Sequence, residues 1–201
     1  MDSEGPSAPG LAGRWDPVMP MPNVAVHAHL LPSGNVLFWG RRDRPDGTMD
    51  EQECTPQLWD RTQPVSAASP ALFRPTKQPI DRASGKKYNL FCSGHAFLPD
   101  GRLLVVGGHI RDSVGVEYAI LFDWRSEEWE SLPAMNRGRW YPTATSLPDG
   151  SVLVMSGSFA EGTTIRTNTV PQIWDGEEPV QIGRCDGHLL QGSGLRLPLR
   201  G

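Results

Sequence analysis

FLPDGRLLVVGG, residues 97–108, decides how this chain is read, because two other segments repeat it: LLPSGNVLFWG from Leu30 and SLPDGSVLVMSG from Ser146. In each copy proline presets the φ that a turn needs and glycine adopts a positive φ at little cost. A β-rich run follows. Each copy therefore predicts strand, turn, strand. The turn glycines are Gly34, Gly101 and Gly150, separated by 67 and 49 positions. The first interval is lengthened by a polar, proline-containing insert from Arg41 to Lys87.

A second element recurs further along each unit: PQLWD at Pro56–Asp60, AILFDW at Ala119–Trp124 and PQIWD at Pro171–Asp175. The third and fourth strands of a unit are expected there, with Trp15 and Trp129 opening the connections to the next unit. Units of about 50 residues with four short strands match the kelch period of the propeller class. No sustained helical pattern is present, and prolines interrupt nearly every longer window. A β-sandwich also has short, regularly spaced strands, but the repeated elements select the propeller. The expected fold is all-β, a partial kelch-like β-propeller of about three to four four-stranded blades whose ring is not closed. Blades are expected over residues 13–182, after a disordered segment 1–12 and before an irregular tail 183–201. That tail, GRCDGHLLQGSGLRLPLRG, reads as a truncation end, an alternative reading frame or disorder. An open ring would leave edge strands that another protein chain could cover.

Composition narrows the function classes. The 201 residues carry a formal charge of −4 with scattered basic side chains, so no electrostatic footprint for nucleic acid or anionic lipid is present. The apolar runs, Leu103 to Val106 among them, are strand-sized, which predicts no membrane span. The start, MDSEGPSAPGLAG, has neither a basic nor an apolar signal region, so the chain as written is expected to stay in the cytoplasm. Cys54, Cys92 and Cys185 suit neither a disulfide framework nor a zinc ribbon, and Cys54 and Cys185 read as free thiols.

Several common catalytic templates are missing: there is no G-x-S-x-G elbow, P-loop or H-E-x-x-H. Glu127 and Glu128 read as solvated outer-strand residues. His27 and His29 are two apart and share a strand face, but no third ligand is evident. His95 and His109 are expected at opposite ends of a hairpin strand, too far apart for one ion. His188, in the tail, receives no role.

Two stretches rise above the repeat: NLFCSGHAFLPDGRLLVVGGH from Asn89 and NRGRWYPTATSLPDGSVLVMSGS from Asn136. They resemble the propeller domain of the copper radical oxidases, the galactose oxidase and glyoxal oxidase group. There, a Cys in an F-C-x-G segment is joined by a thioether to a Tyr in an R-G-Y or R-W-Y segment of the next blade. Cys92 and Tyr141 occupy those positions, at the same phase of consecutive repeats. Alone, Cys92 would read as a small core residue and Tyr141 as a packed aromatic. The resemblance implies that Cys92 and Tyr141 are the catalytic pair and that Tyr141 is also a copper ligand. Trp140 and Phe159 would border the substrate and shield the pair, Phe159 standing where the galactose oxidase branch has tryptophan. An ortho thioether makes a phenol easier to oxidise, and copper would accept the second electron. The implied activity is oxidation of an alcohol or aldehyde by O2, giving H2O2. The family's remaining ligands come from later blades and a C-terminal domain, and no segment here matches them. The chain is therefore expected to be a truncated form, inactive alone. The alternatives are a non-catalytic kelch scaffold that binds another protein, and a truncated product that folds poorly.

Overall fold

The computed structural model describes residues 13, 15, 18–44, 53–63, 72–80, 85, 87, 89–176 and 179–181. The expected segments 1–12 and 183–201, with Cys185 and His188, lie outside the described residues. Three copies of L-P-[S/D]-G fold into three superimposable turns. The carbonyls of Leu31, Leu98 and Leu147 accept from the amides of Gly34, Gly101 and Gly150 at 2.9–3.0 Å. The glycines have φ of 88°, 85° and 90°. In each turn the Ser or Asp side chain accepts the amide two residues on: Ser33 from Asn35, Asp100 from Arg102, Asp149 from Ser151. This is why the variable position of the repeat is Ser or Asp.

Each turn joins the first two strands of a four-stranded antiparallel sheet. The first blade contains β1 (His27–Leu30), β2 (Val36–Trp39), β3 (Gln57–Trp59) and β4 (Phe73–Pro75). The second contains β5 (Gly94–Phe97), β6 (Leu103–Val106), β7 (Ala119–Asp123) and β8 (Glu128–Ser131). In the third, β9 (Thr143–Ser146) and β10 (Val152–Met155) precede a separate hairpin, β11 (Ser158–Glu161) and β12 (Thr164–Thr167). The blade then resumes with β13 (Gln172–Trp174) and β14 (Pro179–Gln181). The three W-D elements form third strands, and Trp129 lies on a fourth. The fold is all-β, with three blades and no closed ring among the described residues. Two blade strands, β3 and β4, lie inside the Arg41–Lys87 insert.

The uninterrupted apolar run of β6 is explained by its place in the middle blade. Leu103 and Val105 pack toward the first blade with Leu37, Trp39, Leu58, Ile120 and Phe122. Leu104 and Val106 pack the other way, with Val152, Val154 and Trp174 of the third. A strand buried on both faces has no polar alternation to display. The turns stack in register: a Cβ on Gly101 would meet Pro32 Cγ at 2.6 Å, and one on Gly150 would meet Pro99 Cγ at 2.9 Å.

Candidate functional site

Cys92 and Tyr141 enter from the other end of the blades. Each lies in the connection preceding the first strand of its blade, nine positions before the turn glycine. Leu90 to Ser93 forms a tight turn in which the Ser93 amide donates to the Leu90 carbonyl at 3.2 Å. Cys92, its third residue, has φ 61°, and Tyr141 repeats that left-handed conformation with φ 54°. For residues bearing a Cβ this costs about 1–3 kcal/mol each and persists only where the surroundings enforce it.

The enforcing contacts can be named. The Tyr141 amide donates to the Cys92 carbonyl at 2.7 Å, tying the two connections together. Gly94 lets them approach, since a Cβ there would lie 2.7 Å from the Pro142 carbonyl oxygen. The Trp39 indole donates to the Leu90 carbonyl at 3.0 Å and the Cys92 amide donates to His27 Nε2 at 3.3 Å. The Asn89 side chain accepts the Phe91 amide at 2.9 Å. In the other connection, Arg139 is completely buried. Its guanidinium donates to the carbonyls of Ser156 (2.7 Å) and Val170 (2.6 Å) and to the side chains of Asn136 (3.1 Å) and Gln172 (3.3 Å). Trp140 exchanges backbone bonds with Ser158 at 2.9 and 3.0 Å.

The Cys92 thiol and the Tyr141 phenol lie near enough for each to shift the other's pKa. Cys92 is fully buried, whereas Tyr141 is 49% exposed. Burial pushes the Cys92 thiol up to about 11. The hydrogen bond to Cys92, reinforced by burial, pushes the Tyr141 phenol up to about 12. Both groups therefore keep their protons at neutral pH, the thiol as a buried partner and the phenol with one edge open. Trp140 stands edge-on to Tyr141, ring centroids 4.6 Å apart, also reaches Cys92, and donates from its indole to His109 Nδ1 at 3.3 Å. Phe91 covers another side of Tyr141 at 6.2 Å. Phe159 lies elsewhere. It packs under the Arg137 guanidinium at 5.1 Å and borders a cavity of about 440 Å³ with Val114, Gly115 and Tyr118.

Among the described residues no group of three His, Cys, Asp or Glu side chains is arranged to hold a metal ion. Tyr141 is a half-exposed oxygen donor and fits one corner of a copper site. The expected face-sharing of His27 and His29 is observed, and a ring the sequence reading kept apart from them packs against both. His95 of the next blade joins them, with its Nε2 3.2 Å from His27 Nδ1 and its ring 4.2 Å from that of His29. His109 is apart from this group, against Phe91 and Trp140. Sequence reasoning also passed over Arg139, which it met only as a letter of R-W-Y. The Gly107-Gly108 pair was a usable signal, because a Cβ on Gly107 would lie 2.2 Å from the Arg139 carbonyl oxygen. Cys54 is a free thiol, as expected, but a buried one, accepting the Gly40 amide at 3.1 Å.

No protein-family model matches the chain. It is 29% identical over 158 residues to galactose oxidase of Gibberella zeae, covering 77% of this chain and 20% of that protein. Over 79 residues it is 40% identical to the aldehyde oxidase GLOX of Vitis pseudoreticulata, covering 35% of this chain and 14% of the relative. The chain thus spans a fifth or less of the length of these curated relatives. Its fold is shared with a solved fungal alcohol oxidase of the AA5 family, in complex with copper. The TM-score is 0.57 at 22% identity, covering 81% of this chain and 31% of that one. In sequence and in fold, the chain is a galactose oxidase- and glyoxal oxidase-like stretch of kelch-type propeller.

Proposed function

We propose that Cys92 and Tyr141 are the redox pair of a copper radical oxidase that acts on the alcohol or aldehyde group of a sugar or small carbonyl compound. The observation that carries the reading is their convergence. Two residues from consecutive repeats, each in a left-handed conformation and joined by a 2.7 Å backbone bond, bring a thiol against a phenol. Strain of this kind is retained where the local geometry has a use.

In this reading a carbon–sulfur bond forms between Cys92 Sγ and the ring carbon ortho to the Tyr141 hydroxyl. The S–H and C–H bonds are lost, and two electrons and two protons pass to O2, giving H2O2. Copper bound through the Tyr141 oxygen supplies the one-electron acceptor that this cross-link and the later two-electron oxidation of substrate both require. Burial keeps the sulfur from solvent and competing oxidants, while the exposed edge of Tyr141 is the side from which substrate is met. Trp140 covers the pair and limits water at it. Phe159, on the wall of the neighbouring cavity, is assigned to substrate contact. The described residues supply Tyr141 alone as ligand, so the reading gives them the cross-link and reserves turnover for a completed ligand set.

The test is intact-mass analysis after aerobic copper loading. A loss of about two hydrogen masses is expected in the unmodified chain, by bond counting, and none in Cys92→Ser or Tyr141→Phe. An unchanged mass, with Cys92 fully alkylated after denaturation, would leave a kelch scaffold that binds another protein.

A further inference from the structure

The three imidazoles between the first and second blades are not used by the chemistry above. His27 and His29 are buried, His95 is half-buried, and the Trp39 indole lies along both His27 (5.5 Å) and His29 (4.9 Å). Two hydrogen bonds fix what His27 is doing. A backbone amide can only donate, so the Cys92 N–H at 3.3 Å requires a bare, accepting His27 Nε2. The neutral ring then carries its proton on Nδ1, and that proton points at His95 Nε2, 3.2 Å away.

We propose that His27 is a positioning residue for Cys92, its imidazole locked as the Nδ1–H tautomer between the Cys92 amide and His95. The inference rests on the reading of Cys92 and Tyr141 as the redox pair. It adds that the first blade contributes to the site without touching the reacting atoms. Cys92 is the strained third residue of its turn, and such a residue needs an external partner for its amide to stay in the left-handed conformation. His27 supplies that partner, and His95 supplies the acceptor that selects the tautomer. The arrangement needs a neutral His27, and burial pushes its pKa down to about 4, well below neutral pH.

The experiment uses the metal-free chain, uniformly labelled with ¹⁵N, and reads the two-bond ¹H–¹⁵N couplings of the histidine rings at pH 7. The His27 ring, assigned by the loss of its signals in His27→Phe, is expected to show a protonated Nδ1 and a bare Nε2. A proton on Nε2 overturns the proposal. Peptide-mapped alkylation of Cys92 in the folded chain gives the second readout. His27→Phe should accelerate it about tenfold over His29→Phe, which loses a buried imidazole on the same strand but no bond to Cys92, and His27→Gln, which keeps an acceptor, should restore slow labelling. Equal rates in the two Phe variants, or no restoration by Gln, overturn it as well. Both measurements are made without copper. A missing cross-link after copper loading therefore counts against the redox reading, and a wrong tautomer alongside a formed cross-link counts against His27 alone.

Discussion

Arg139 carries a charge into the interior with no carboxylate beside it among the described residues, and neutral oxygens take its place. Burial pulls its pKa down to about 10, so it still holds its proton at neutral pH. Replacement by methionine would fill much of the volume and take the side-chain donor from the Ser156 and Val170 carbonyls, while the Asn136 and Gln172 side chains keep their donors from Asn168 and the Asn136 amide. Arg139→Met is expected to cost about 3 kcal/mol, read from urea midpoints, with Tyr141 the first residue released. The turn glycines give a finer comparison. Gly34 and Gly101 share the same φ, but only Gly101 faces a neighbouring proline. Gly34→Ala should cost about 1 kcal/mol from conformation alone, and Gly101→Ala should cost clearly more, because the added methyl meets Pro32. Equal losses in chemical denaturation would show that the turns do not bear on one another.

The seam between β1 and β5 makes stability depend on pH. His27 is pushed down to about 4 and His29 to about 3, in each case first by burial and then by the neighbouring imidazoles, and His95 is lowered too. The unfolded chain would protonate these rings near 6.5 while the folded chain does not. Stability from this source is therefore complete above pH 6.5 and is lost as the pH falls toward 4. For His27 alone the loss approaches about 3 kcal/mol. Thermal unfolding at pH 7 and pH 4.5 should show a marked drop in Tm, and His29→Phe should shrink it. This seam was legible in part. The hairpins and third strands could be read because their turns are made by residues three or four apart. The meeting of His95 with His27 and His29 needed one further step. Counted back from the turn glycine, His95 has the opposite parity, so it faces the first blade while they face the second. The β11–β12 hairpin escaped because its turn at Gly162 lacks the L-P-x-G pattern and its second strand is exposed throughout.

Across the whole molecule the blades adhere through two apolar seams, and charges decorate the margin. Arg74 pairs with Glu127 and Lys77 with Glu128, linking the outer strands of the first and second blades. Such exposed pairs contribute little, so Arg74→Ala should cost under about 1 kcal/mol and the effect should fade with salt. Leu104→Ala, by contrast, opens the seam between the second and third blades and should cost about 2–5 kcal/mol. A pair of urea titrations separates the two cases. The stacked turns have a further consequence for how such a chain tolerates change. Because each proline bears on the next glycine, a residue inserted in one of these turns would throw the neighbouring turns out of step. The unequal intervals of 67 and 49 positions are absorbed outside these turns, in the β2–β3 and β3–β4 connections and in the run from β4 to β5. Novelty in length is thus channelled to the other connections, where new loops can be tried without unsettling the stack that carries them.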